Sequence, residues 1–183
     1  MSRGPTVVVG ARAVEALLRT PERLRRIWCA DETGARQRVV GTARAAGVEV
    51  HAASQDRLAR LADGVRHQGI VAEIVPREPA EWAQLISDPR GLLLAFDQVT
   101  DPHNLGAALR SAEAFGATGG LVTRNRCARP GPVVARTSAG ASELLPVAIE
   151  TNLARALRQA QSAGYRVVAA DLDGPAPEAV DLT

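Results

Sequence analysis

Between Asp97 and Val122 the chain reads DQVTDPHNLGAALRSAEAFGATGGLV, and two of its side chains, Asn104 and Arg110, could act on a polar substrate. A guanidinium is a fixed cation with five donors in a planar fork, suited to a phosphate or to an oxygen that gains charge in a reaction. A carboxamide offers both donors and an acceptor, and can orient a hydroxyl. The polar loop from Thr100 to Asn104 follows an apolar run, GLLLAFDQV, and open α/β sheets place their ligands at the carboxyl edge of such strands. On a helical wheel Arg110 lies nearly opposite the stripe Leu105, Ala108, Leu109, Ala112, Phe115 and Gly116, which leaves it free to meet a substrate. Gly106 permits close approach of another backbone. Taken alone, a strand, a capped helix and a solvated Arg are common features of α/β proteins.

Between Glu113 and Glu143 lie Arg124, Arg126, Arg129 and Arg136, with no acid among them. Two readings stand: a loop for RNA backbone contact beside the Asn104–Arg110 stretch, or an ordinary solvated loop. All 22 basic residues are Arg, and the net charge is only +2, too small to prove a nucleic-acid partner. The distribution is uneven. Residues 1–75 hold 12 Arg against 8 acids, +4, whereas residues 76–183 hold 10 Arg against 12 acids, −2. The first part is the better electrostatic footprint for RNA. Cys29 and Cys127 lie far apart without metal-ligand spacing and read as free thiols. His51 and His103 have no metal partners and read as structural or capping residues. No apolar run approaches the ~20 residues that span a bilayer. MSRGPTVVVG has no signal-peptide core, so a cytoplasmic protein without a membrane partner is expected.

The elements fall into two series. In residues 1–75, helical patterns are expected over Ala11–Arg19, Thr33–Ala46 and Ser54–Leu61, the second closed by Gly47 and the third capped by Ser54. Strands are expected over Arg26–Ala30, Val48–Val50 and Gly69–Val75. Residues 76–90 hold Pro76, Pro79 and Pro89 and read as a linker with a short helix around Trp82–Ile86. From residue 91 to 183 a β-α-β-α-β-α-β pattern predicts a mostly parallel sheet. Its first strand, GLLLAFDQV, reads as buried on both faces. Asp101-Pro102 supplies an N-cap and Pro at N1. Further strands are expected at Gly119–Thr123, Pro146–Ile149 and Arg166–Ala170, with helices over Pro132–Ala139 and from a Thr151 cap to Gly164.

The run DPHNLGAALRSAEAFG resembles the first signature of the SpoU/TrmH (SPOUT-class) RNA ribose 2′-O-methyltransferases, N-[IL]-G-A-x-x-R-[ST]-A. Asn104, Leu105, Gly106, Ala107, Arg110, Ser111 and Ala112 match it. DQVTDPHN is similar to the RlmB-like branch, which modifies a guanosine ribose of large-subunit ribosomal RNA. TSAGASELLPV resembles the family's S-x-G-A-x-E-x-x-P-V segment at Ser138, Gly140, Ala141, Glu143, Pro146 and Val147. HQGIVAE, from His67, and GARAVEALL resemble stretches of its N-terminal module.

The resemblance implies a small ribosomal-protein-like α/β substrate-binding domain followed by the first part of a SPOUT methyltransferase domain. It also implies methyl transfer from S-adenosylmethionine to RNA, ribosomal RNA first with transfer RNA as the alternative, in a family of homodimers whose dimer-building helices have no match in this sequence. The matching Arg110 would engage the target ribose. Because it stays protonated, phosphate anchoring and support of the developing alkoxide are the chemically sound roles. Asn104 would orient the ribose or hold Arg110. Glu143 would secure its loop or pair with Arg, the other reading being a surface carboxylate. His67 and Gln68 would position RNA or form a hydrogen-bonded pair between the domains. The family's Gly/Glu-rich loop and its S-L-N-V-S-like segment, which build the donor pocket and trefoil knot, have no match through Thr183. The chain as written is therefore expected not to hold the donor, and its activity as an enzyme is left open. The other reading is a non-catalytic RNA-binding module or a ribosome-associated protein.

Overall fold

Apolar residues at period two and period 3.6 build two α/β units, and the computed structural model describes residues 6–171, 173–176 and 179. The first unit holds β1 (Val7–Val9), α1 (Ala11–Leu17), β2 (Leu24–Cys29), α2 (Ala35–Ala45), β3 (Glu49–Ala52), α3 (Gln55–Ala62) and β4 (Ile70–Ile74). Its sheet runs β1-β4-β2-β3, with β2 and β3 parallel and β4 antiparallel to both of its neighbours. Alternation along β4 sorts the core. Ile70, Ala72 and Ile74 join Val14, Leu17, Ile27 and Val40 on one face, while Val71 joins Val9, Trp28 and Leu58 on the other. Gly47, at φ 77°, turns the chain out of α2, and Val48 N–H donates to Ala43 O at 2.9 Å. Ser54 caps α3 by accepting from Arg57 N–H. Strand β1 stands outside the expected series, because three valines are too few to display an alternation.

Pro76 to Pro79 connect the units. Residues 80–86 already belong to the packing of the second: Ala80 bridges to Ala148, and Trp82, in α4 (Trp82–Leu85), donates Nε1–H to Ala156 O at 3.0 Å. The second unit continues with β5 (Leu93–Phe96), α5 (Pro102–Ala114), β6 (Gly119–Thr123), α6 (Pro132–Thr137), α7 (Ala141–Leu144), β7 (Val147–Glu150) and α8 (Leu153–Ser162). Its three strands run β5-β6-β7, all parallel. The middle strand is buried throughout, with Leu121 and Val122 at its heart.

Four expectations change here. β5 pairs only with β6 among the described residues, so it is an edge strand with Leu92 and Ala95 exposed, not a doubly buried one. Phe115 leaves the apolar stripe at 83% exposure, because it is the residue just past α5, where no neighbour covers it. Asn152 rather than Thr151 caps α8, its side chain accepting from Arg155 N–H at 2.9 Å. Residues 166–170 form no strand, and Val167 and Val168 are exposed; a strand needs a ladder, and none of the described strands forms one with this stretch.

Candidate functional site

Asp101 starts α5 by accepting from His103 N–H at 2.8 Å, with Pro102 at N1. Leu105, Leu109 and Ala112 are buried, while Asn104 and Arg110 are exposed on the helix. Gly106 is what brings α6 close. A Cβ there would overlap the Thr137 side chain and sit 3.1 Å from Ser138 N. The expected helix over Pro132–Ala139 is present as α6, ending at Thr137, and after Ala139 and Gly140, both at positive φ, a further short helix, α7, follows. Gly140, at φ 92°, has its missing side chain directed at α1, where a Cβ would overlap Ala16 and sit 3.1 Å from the Ala13 backbone. Two glycines thus lock α5 onto α6 and the start of α7 onto α1. Replacing Gly106 by Ala should destabilise the protein by about 1–3 kcal/mol, since short β-branched Thr137 cannot swing aside. Urea unfolding checks this, with exposed Ala107→Ser unshifted as the control.

That packing makes a cleft of about 450 Å³ between the units, lined by Gly10, Arg12, Gln68, Arg110, Arg136 and Thr137 among others, with no acid in its wall. Arg136 Nε is sealed from solvent without a hydrogen-bond partner. Gln68, at φ 52°, leans over Gly10. Beside this cleft the joint is clasped by charge. Arg23 donates Nη2–H to Glu143 Oε2 at 2.7 Å and Nη1–H to Glu143 O at 2.8 Å, and Arg77 donates to Leu144 O at 2.8 Å. Glu143 is 8% exposed, so it is an ion-paired residue of the joint and no surface carboxylate.

The remaining sequence candidates scatter. His67 Nδ1 accepts from Gly69 N–H at 3.1 Å, a local bond within its own unit, and only Gln68 of that pair reaches the shared cleft. Arg124 and Arg129 line a separate cleft at the carboxyl ends of β6 and β7, together with Glu78, Glu81 and Glu150. Arg129 donates to Arg124 O at 2.8 Å. Arg126 is exposed at φ 59°. Arg12 was not singled out by the sequence; only the fold of α1 against α6 brings it to the site. The described residues include no cluster of three or more His, Cys, Asp or Glu that could hold a metal. No helix among them is long and apolar enough to cross a membrane.

An acid-free basic cleft between two α/β units is a site built for a polyanion. Comparison with known proteins gives its family. The SpoU rRNA methylase family model matches residues 91–183, and the model for RNA 2′-O ribose methyltransferase substrate binding matches residues 7–80. The chain belongs to the SpoU rRNA methylase family. It is 41% identical over 171 residues to the 23S rRNA (guanosine-2′-O-)-methyltransferase RlmB of Pseudomonas aeruginosa, covering 88% of this chain and 68% of that protein. To the RlmB of Bordetella pertussis it is 38% identical over 174 residues, 90% of this chain and 70% of the relative. Its fold matches an rRNA methyltransferase from Sinorhizobium meliloti with a TM-score of 0.69 at 21% identity, over 93% of this chain and 64% of that one. The AdoMet complex of the SpoU methyltransferase AviRb from Streptomyces viridochromogenes matches with a TM-score of 0.65 at 22% identity, over 87% and 59%.

S-adenosylmethionine is the methyl donor of this family. Its adenine needs an apolar slot. A mainly apolar cleft walled by Ile74, Pro76, Pro79, Leu145, Val147 and Ile149 measures about 210 Å³. That is below the roughly 300 Å³ at which small-molecule pockets begin. That cleft does not by itself fit the donor.

Proposed function

We propose that this protein serves 2′-O-methylation of a guanosine ribose in 23S rRNA, with the cleft between the units holding the target nucleotide. The observation that carries it is Arg110 on α5, placed with Arg136 and Gln68 on a wall free of acids. There a guanidinium anchors a phosphate and steadies the negative charge that grows on the 2′-oxygen, while remaining protonated. Asn104, about 1.7 turns earlier on α5 and outside the lining of the cleft, is assigned the orienting of the ribose. Glu143 is read as a positioning residue, since its carboxylate is held by Arg23. The same reading includes a homodimer, as the family implies. It takes ribosomal rather than transfer RNA as substrate, because the RlmB relatives carry 23S rRNA in their names. The small α/β unit of residues 7–80 brings the RNA, and the parallel-sheet unit brings Asn104 and Arg110.

Deleting the gene that encodes this chain should remove one 2′-O-methylguanosine from 23S rRNA, read by mass spectrometry of nuclease digests. Re-expression should restore it. An unchanged 23S rRNA modification pattern would sink the reading.

A further inference from the structure

We propose that Arg12, Arg110 and Arg136 form one anion site, shared by the two units, for a single phosphodiester of the RNA; this rests on the function proposed above. Arg12 comes from α1, Arg110 from α5 and Arg136 from α6, and all three line the same cleft. The described residues place no acid in its wall and give none of the three an ion pair. Four other Arg residues of the first unit are paired instead: Arg19 with Glu113, Arg23 with Glu143, Arg36 with Asp31 and Arg44 with Glu32. Three uncompensated guanidinium groups around one cavity repel each other, and a bound anion reverses the sign of that interaction.

Arg136 adds an independent observation. Its Nε–H is closed off from water and meets no acceptor, and a buried donor left unmet is costly unless a ligand satisfies it. A tetrahedral phosphate suits this set, because it offers acceptors in several directions while each Arg presents a planar fork. Gln68, on the first unit's side of the cleft, is placed to meet the ribose or base that the phosphate carries. The volume, about 450 Å³, lies within the range of ligand pockets and exceeds what a lone phosphate requires. The occupant is thus a nucleotide unit of a chain rather than a free ion. Since Arg12 and Arg136 sit on different units, neither unit alone offers the full site.

The test is RNA affinity against salt for the full protein on a 23S rRNA fragment, by fluorescence anisotropy. Arg12→Gln and Arg136→Gln should each weaken binding about tenfold and lower the slope of log affinity against log salt by about one. The double variant should lose less than the product of the two, because both grip one phosphate. Arg136→Lys keeps the charge, so it should keep the slope while losing part of the affinity, which separates lost contact from lost fold. Exposed Arg60→Gln is the control, with affinity near wild type. Wild-type binding in both Gln variants, or fully multiplicative losses, would overturn the shared site while leaving the proposed function standing. A wild-type protein that binds no RNA would bring down both. Displacement of RNA by millimolar inorganic phosphate at matched ionic strength would assign the site to free phosphate and overturn the phosphodiester.

Discussion

Arg110→Ala, expressed in a strain lacking the native gene, is expected to leave the target guanosine unmethylated, with the rate down at least a hundredfold. Losing a single preorganised donor aimed at developing negative charge lowers turnover by about 10²–10³ in other enzymes. Arg110 makes no ion pair among the described residues, and its helix buries Leu105, Leu109 and Ala112 on the far side. The substitution therefore removes chemistry and not packing, so the urea midpoint should stay where it was. Arg110→Lys should fail almost as completely, because an ammonium lacks the planar fork that meets two oxygens at once. Methylation near the wild-type level in the Lys variant would show that charge alone suffices and would refute the bidentate role.

The second large effect concerns the joint. Glu143→Ala should lower stability by about 3 kcal/mol, since it strands the Arg23 guanidinium in a place where both side chains are nearly closed to solvent, 11% and 10% exposed. Arg23 would keep only its bonds to the Glu143 and Val75 carbonyls. Arg23→Met combined with Glu143→Ala should recover much of the loss, because an unpaired buried charge is worse than no charge. Glu143→Gln should still restore rRNA methylation in the deletion strain. A Gln variant that folds with an unchanged urea midpoint but methylates nothing would move Glu143 from the joint into the chemistry.

Much of this was legible in the sequence, and the failures have physical causes. Ser54, Gly47 and Asp101 act through the backbone of their own neighbours, so the caps they form were readable from adjacent residues. The exposure of Arg110 was readable for the same reason, as helix periodicity alone puts it opposite the buried stripe. Phe115 obeyed the period yet came out exposed, because burial depends on a covering partner and not on phase alone. Residues 166–170 have strand composition without a strand, since composition supplies no ladder partner. Arg12 was silent in the sequence. Its position in the cleft depends on Gly140 admitting α1 some 125 residues away along the chain, a contact that no local pattern encodes.

Where α1 meets Gly140, the joint between the units is made of the smallest side chains available: Ala13 and Ala16 on α1, with Ala135 buried in the first unit's core. Alanine and glycine have no rotamers to freeze. Closing this part of the joint therefore forfeits almost no side-chain entropy, unlike the Arg23–Glu143 clasp, and here the helices meet as preformed rigid surfaces. The same economy removes any slack. A longer side chain at Ala13 or Ala16 has nowhere to fold away, so the spacing between the two halves behaves as a fixed gauge that every RNA entering the cleft must match.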